Sequence, residues 1–446
     1  MITYQDMEEA LANQESVIEF VKRSIEKHKS SVEYKTAWVA DQYNRHKNVT
    51  ISQYQKLLYS VSGQAVPDNF SANFKLKSNY FNRFVTQQNQ YLLGNGVSWD
   101  DEKTEVALGD SFDTKLQDAG EKALVQAVAF GFWNLDHVEI FQLLEFVPLW
   151  DEETGGLRAG IRFWQLDADK PLRATLYEID GYTEIIWRKN KPDGEILVEK
   201  RPYILKTRET QADGIEVYAG ENYAAFPIVP FWGNKYHQSE FEGMRENIDA
   251  YDLIKSGFAN DLDDVSQIYW IIENAGGMDD VDIAEFLQRI KTLHAANVDD
   301  GQKVTPQTIN VPVEARETLL DRLRSDMYDD FMGLDTKDIA SGAVTATQIE
   351  AAYEPINAKT DRYEYCVIDF IQGILKLAGV EDNPTFTRSM IVNVSENISN
   401  VIQAAEYLPE DYVTEKLLAY LGDADKVEDI LQTKDVEDMK RFSEEE

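Results

Sequence analysis

A chain of 446 residues, 43% of them hydrophobic and 28% charged, has apolar material for more than one core, and its length sets a prior of about three domains. Lys and Arg total 44 against 80 Asp and Glu, a formal net charge of -36. This excludes adhesion to nucleic acid or anionic membrane as a property of the whole surface, so any contact with DNA has to be local. The single cysteine, Cys366, excludes an internal disulfide and fits synthesis in a reducing cytoplasm.

The N-terminal residues show no basic stretch followed by an apolar block, and no run approaches the length needed to span a bilayer. Neither export by a signal peptide nor membrane embedding is expected. Residues 6–59 read as polar helix with one modest apolar face, Ile18, Val21 and Ile25, suited to a surface position. A second helix follows, in which Tyr80, Phe81, Phe84, Val85, Tyr91 and Leu92 suit burial and Gly94-Asn95-Gly96 supplies the stop. A third is read over residues 109–141. The period then changes to alternation over residues 144–203, with turn signals at Glu153-Thr154-Gly155-Gly156, Asp180-Gly181 and Pro192-Asp193-Gly194, which predicts a meander of antiparallel strands. "AAFPIVPFWGN" closes this half with two prolines that oppose helix.

From residue 239 to about 268, Ile248, Tyr251, Ile254, Phe258, Leu262 and Val265 recur at three and four, followed by Tyr269: an apolar stripe on an otherwise acidic rod that needs neighbours. Residues 270–313 read as a small mixed α/β insertion. A second amphipathic helix carries Leu319, Leu320, Leu323, Met327 and Phe331. Beyond it lies "DTKDIASGAVTATQIEAAYEP", whose middle, residues 340–347, holds nothing larger than valine and no charge. A long helix over about 346–377 follows, with a kink expected at Pro355 and a buried thiol at Cys366. "TFTRSMIVNVS" reads as one returning strand over 385–395, and the remainder as short helices broken at Pro409 and Gly422, ending in a frayed charged tail.

No motif supplies the two glycines and the Lys-Ser/Thr of a nucleotide-binding loop, and one cysteine with scattered His28, His46, His137, His237 and His294 does not make a zinc site. Asp261, Asp263 and Asp264, or Asp279, Asp280 and Asp282, could in principle hold a divalent metal for a nuclease or nucleotide-processing reaction. A solvated acidic face accounts for them better, because adjacent carboxylates point to different sides of a helix. The small-residue stretch has one glycine, Gly342, and no lysine beside Thr345 or Thr347, so it is no phosphate cradle. It separates two amphipathic helices, which suits a movable loop with Ser341-Gly342 for flexibility and Thr345 or Thr347 as the N-cap that restarts helix.

The order of these parts describes an α+β chain. It resembles the portal proteins of tailed bacteriophages of the siphovirus type, the head-to-tail connectors, on three blocks: "NYFNRFVTQQNQYLLGNGV", "AFPIVPFWGNKYHQSEFEGMRENIDAYDLIKSGFANDLDDVSQIYWII" and "SGAVTATQIEAAYEPI". The resemblance covers roughly residues 73–394. It implies a portal fold with an N-terminal wing part over 1–238, stem helices over 239–268 and 314–332, a clip over 269–313, a tunnel loop over 333–346, a further wing part over 347–395, and a crown with an acidic tail over 396–446. It further implies a structural protein with no catalytic residue, metal or cofactor. Its setting would be a dodecameric ring at a virion capsid vertex, assembled in the host cytoplasm and threaded by double-stranded DNA. Partners would be a separate terminase large subunit that hydrolyses ATP, a head-completion or adaptor protein, and the scaffolding and major capsid proteins, with no membrane. Lys337, Asp338, Ser341, Gly342, Val344 and Thr345 would then face DNA from the tunnel loop, Lys337 being its one positive charge. Arg289, Lys291 and Lys303 would dock partners from the clip.

Overall fold

The computed structural model describes residues 2–59, 63–68, 73–210, 216–265, 269–273, 281, 303–307, 312–337, 345–389, 394–421 and 427. The chain opens with helices α1 (Tyr4–Ala12), α2 (Val17–Ser30), α3 (Val32–Asn44) and α4 (Val49–Gln53), then the short pair β1 (Leu57–Tyr59) and β2 (Ala65–Pro67). Next come α5 (Tyr80–Leu93), β3 (Val97–Ser98), α6 (Glu102–Leu108) and α7 (Phe112–Gln126). The strands β4 (Val128–Asn134), β5 (His137–Gln142), β6 (Phe146–Trp150), β7 (Leu157–Trp164), β8 (Leu172–Glu178), β9 (Gly181–Arg188), β10 (Lys191–Arg201), β11 (Ile204–Thr210), β12 (Glu216–Glu221) and β13 (Ile228–Trp232) follow. The second half holds α8 (Arg245–Val265), the antiparallel pair β14 (Tyr269–Glu273) and β15 (Lys303–Gln307), α9 (Val313–Phe331), α10 (Ala346–Ala378), β16 (Thr385–Phe386), α11 (Val394–Ala404) and α12 (Glu410–Leu421).

Two compact units share the chain. The first gathers Met1–Asp41, Arg83–Glu242 and Asp330–Glu446; the second gathers Gln42–Asn82 and Gly243–Asp329.

The first unit is layered. Strands β10-β9-β8-β7-β6 form an antiparallel meander in sequence order, and β13-β4-β5 form a smaller antiparallel sheet. Alternating side chains of the large sheet, Leu149, Ile161, Leu176, Ile185 and Trp187 among them, pack on one face against Phe20, Val21 and Ile25 of α2 and Met7 of α1. Phe146 and Tyr177 point the other way, into an aromatic core with Phe130, Phe132 and Phe141 of the small sheet. The far side of the small sheet is covered by α10, where Phe370 stacks on Phe231 with ring centroids 4.8 Å apart. Gly131 is dictated by that contact, because the Phe370 ring lies 2.6 Å from where a β-carbon would stand.

Four expectations change here. The N-terminal helices are core elements and not a surface layer: Phe20 and Val21 are fully buried, each such side chain contributing about 1.5–3 kcal/mol. Capping boxes start both helices, Thr3 with Asp6 and Ser16 with Glu19. Strand structure begins at Val128, inside the stretch read as a third helix; Ala127 ends α7 at φ 72°, and "VAFGFW" is buried on both faces, so it shows no alternation. Among the described residues the returning strand is Thr385–Phe386, paired with the two-residue β3, residues 390–393 lie outside the described residues, and Val394 already opens a helix. Cys366 is half-buried and not enclosed, its thiol directed at the Arg362 carbonyl.

β13 accommodates Pro230 because it is an edge strand. α10, 33 residues and so about 50 Å long, is continuous across Pro355, which withholds one N–H from its ladder, and it ends at Gly379 in the left-handed conformation. α11 ends at Ala404 and α12 begins at Glu410, either side of Pro409; Gly422 lies outside the described residues.

The second unit is built on α8 and α9. Tyr251, early in α8, meets Tyr80 edge to face, and Tyr80 meets Tyr328 late in α9. Asp261, late in α8, pairs with Arg316 early in α9. The two helices therefore run antiparallel, with β14 and β15 on the connection between them.

Candidate functional site

The helix pair of the second unit is held differently from the layers of the first. On α8, Asp249, Asp252, Ser256 and Asn260 recur at three and four residues and form one face. Each grips another segment. Asn260 accepts from Phe74 N (2.6 Å), Ser256 from Leu76 N (2.9 Å) and Asp252 from Ser78 N (2.8 Å), so alternate amides of an extended chain are bonded to successive turns of the helix. Asn48 donates to both Ser78 O and Asp252, and Asp249 accepts from Thr50 and Tyr43. Asp252 is fully buried; burial pushes its carboxyl up from the ordinary range while the bonds from Ser78 and Asn48 pull it down. Burial and Asp249 together push the Tyr43 phenol up to about 12.

The apolar stripe read from the sequence is thus not what this face of α8 buries. Ile248 is enclosed, but Tyr251, Ile254 and Phe258 are half-buried and Leu262 is 51% exposed. Leu253, Val313 and Leu319 are also open to solvent, whereas Met327 near the far end of α9 is fully buried. Polar groups close the unit on itself, and apolar side chains of both helices remain available.

At the end of α9 the chain enters the first unit and is pinned. Phe331 stacks on Phe84 (4.7 Å between centroids, 16° between planes), and Met332 turns the backbone at φ 60°. Gln87 then clamps Leu334 twice, donating to its carbonyl (2.9 Å) and accepting from its N–H (3.0 Å). Lys359 of α10 reaches the same point. Its ammonium donates to the Phe331 carbonyl (3.0 Å), lies over the Phe331 ring and pairs with Glu240 at 2.7 Å. Burial lowers the Lys359 pKa and the Glu240 carboxylate opposes that shift. Glu240 is itself held by Asn234 (2.9 Å).

The sequence-derived candidates fall around this anchor. Lys337 is exposed and its N–H donates to the Asp335 carboxylate (3.1 Å). Thr345, rather than Thr347, caps α10, in a capping box with Gln348. Asp338, Ser341, Gly342 and Val344 lie outside the described residues, as do Arg289 and Lys291; Lys303 starts β15 opposite Glu273, its side chain not described. Of the acidic clusters, Asp261 is engaged by Arg316, and the side chains of Asp263, Asp264, Asp279, Asp280 and Asp282 are outside the description. Among the described residues no three His, Cys, Asp or Glu side chains come together as a metal site, and no helix is long and apolar enough to cross a membrane.

Sequence reading missed Asp252, Gln87, Lys359 and Glu240. Lys359 carried a signal: it sits between Ile356 and Tyr363, on the side of α10 that Tyr353 and Thr360 mark as buried. The Asp252 face could have been seen as a second periodic stripe, hidden by the expectation that the buried side of a helix is apolar.

The model of the family described as "Phage portal protein, SPP1 Gp6-like" matches residues 26–446. The portal protein of Clostridium phage phiCD119 is 29% identical over 197 residues, 42% of this chain and 44% of that relative. The portal protein of Bacillus phage SPP1 is 23% identical over 398 residues, 79% of this chain and 74% of its own length. The match thus spans under half of the first relative and about three quarters of the second. Solved chains from the necks of gene transfer agent particles, empty with C6 symmetry and native with C12 symmetry, align with TM-scores of 0.45 and 0.44. Their identities are 10% and 11%; the alignments cover 77% and 76% of this chain and 90% and 89% of theirs. The chain belongs to the SPP1 Gp6-like family of phage portal proteins, and its mixture of helices and antiparallel sheets is the α+β class expected from the sequence.

Proposed function

We propose that this chain builds a dodecameric ring at one capsid vertex, the channel through which double-stranded DNA is packaged and ejected. The observation that carries the proposal is the helix pair of the second unit: the polar face of α8 is bonded to the backbone of residues 74, 76 and 78, while Leu253, Leu262, Val313 and Leu319 stay open. A closed ring covers such side chains on every copy, with no unpaired surface left over. The net charge of -36 supports a conduit, because an acidic wall lets a duplex bearing about one charge per 1.7 Å slide without holding it.

In this reading α8 and α9 are the stem, residues 269–313 the clip, 333–346 the tunnel loop, 396–446 the crown and tail, and the rest the wing. Lys337, Asp338, Ser341, Gly342, Val344 and Thr345 face DNA. Arg289, Lys291 and Lys303 meet the terminase large subunit or, later, the head-completion protein; scaffolding and major capsid proteins surround the wing. The chain contributes no catalysis and takes no cofactor, and ATP hydrolysis belongs to the terminase. The ring forms in the host cytoplasm and ends in the virion.

Electron micrographs of the purified protein should show rings with a central hole. A homogeneous monomer at micromolar concentration, with and without salt, would overturn the reading. Within it, Lys337→Glu should leave rings intact and impair packaging in a phage carrying the variant; unchanged packaging would remove Lys337 from the DNA-facing set.

A further inference from the structure

We infer that Lys359 is a positioning residue, a buried clamp that makes the end of α9, the turn preceding α8 and the long helix α10 move as one body. Lys359 and the two groups it joins are far apart in sequence. Phe331 offers the α9 carbonyl, Glu240 stands five residues before α8 begins, and Lys359 is near the middle of α10.

A largely buried ion pair is an expensive way to fill space, because desolvation of the charges offsets much of their attraction. An apolar side chain of similar length would pack against the same Phe331 ring. What it would lose is direction. The ammonium accepts only arrangements in which a carbonyl and a carboxylate lie within hydrogen-bond distance together. The Phe331 carbonyl is one of the last of α9, which the helix leaves without an internal partner, so Lys359 also performs a capping task that Met332 does not.

The consequence for the following segment is specific. Its near end is fixed by Lys359 at Phe331 and by Gln87 at Leu334, and its far end by the Thr345 and Gln348 capping box. A displacement of α10 is carried to Phe331 at the end of α9 and to Glu240 ahead of α8. The clamp stands on contacts within the first unit; its effect on DNA passage rests on the channel reading.

Lys359→Met, Lys359→Arg and Glu240→Gln in the full-length chain, compared by amide hydrogen exchange, by ring formation and by packaging in a phage carrying the variant, test the clamp. Lys359→Met should form rings, raise exchange of residues 331–335 roughly tenfold and leave the strands of the large sheet unchanged. Lys359→Arg, which keeps a cationic donor, should recover most of the protection. Because loss of a buried ammonium could prevent folding, Glu240→Gln runs in parallel: it keeps an acceptor, removes the charge, and should give a smaller rise at the same residues. Wild-type exchange at 331–335 in Lys359→Met or in Glu240→Gln would overturn the clamp. So would an equal rise in the large sheet, the mark of a merely structural residue. If the wild type forms no rings while the local exchange pattern appears as stated, the channel reading fails and the clamp survives. If packaging is normal in a ring whose residues 331–335 exchange freely, the clamp's role in DNA passage fails.

Discussion

The large sheet of the first unit and the helix pair of the second solve the same problem with opposite materials. The sheet is sealed by aromatic and aliphatic side chains on both faces, with Phe146, Phe130 and Phe141 in contact and Phe20 beneath. The pair is held by carboxylate, hydroxyl and amide groups bonded to backbone, and its Leu253, Leu262 and Leu319 are exposed. The difference teaches that outward apolar residues are not a failure of packing. The helix pair spends its buried face on polar contacts to backbone, which leaves Leu253, Leu262 and Leu319 for neighbours.

The comparison can be broken most forcefully in the sheet. Phe146→Ala should destabilise the first unit by about 3–5 kcal/mol in urea unfolding, since Phe146 fills the space over Gly160 and touches two other rings. Asp252→Ala should lower the stability of the second unit by about 1–3 kcal/mol, because it strands the Ser78 N–H and removes one of the two bonds of the Asn48 amide in a buried place.

The same carboxylate yields a pH test with opposite signs in the two units. The pKa of Asp252 is raised in the fold, so its contribution is present below the ordinary carboxylate range and is lost as pH rises through the elevated value. Asp151 of the first unit is held at about 2, first by the Glu153 amide and further by Thr154, Gln5 and Arg158, so its contribution is present above the ordinary range and is lost as pH falls through that value. Acidification should therefore increase exchange at the 151–156 turn while α8 near Asp252 becomes better protected, and Asp252→Asn should flatten only the second response.

Thr345→Ala should cost about 1 kcal/mol, read as fraying of the first turn of α10. The smallest effect on the chain itself is also the sharpest. Leu262→Ser with Leu319→Ser should change the stability of the unassembled chain by no more than about 0.5 kcal/mol, since both side chains are exposed, yet should abolish rings if those leucines meet neighbours. A large loss of stability in the unassembled chain would mean that the pair does depend on its apolar stripe.

Several features were legible without coordinates. Punctuation by Gly94-Asn95-Gly96, the turn signals of the meander and the Thr345 cap are local, so the residues that cause them lie beside their effects. The helices at 245–265 and 313–331 declared themselves through a period of three to four. Strand β4 did not, because a strand covered on both faces has no alternation to read.

What the sequence alone determined is the alternation of helix and strand, the acidic charge and the placing of a small-residue segment between two long helices, all consequences of neighbours in the chain. Only the tertiary structure decided that α8 buries its acids and amides in place of its leucines, and that Lys359, Glu240 and Phe331 meet. Those outcomes depend on donors supplied from residues 48, 74, 76 and 78 and on a carbonyl 28 positions away. Burial of a polar group is set by whether a partner reaches it, and the sequence around the group carries no record of that partner.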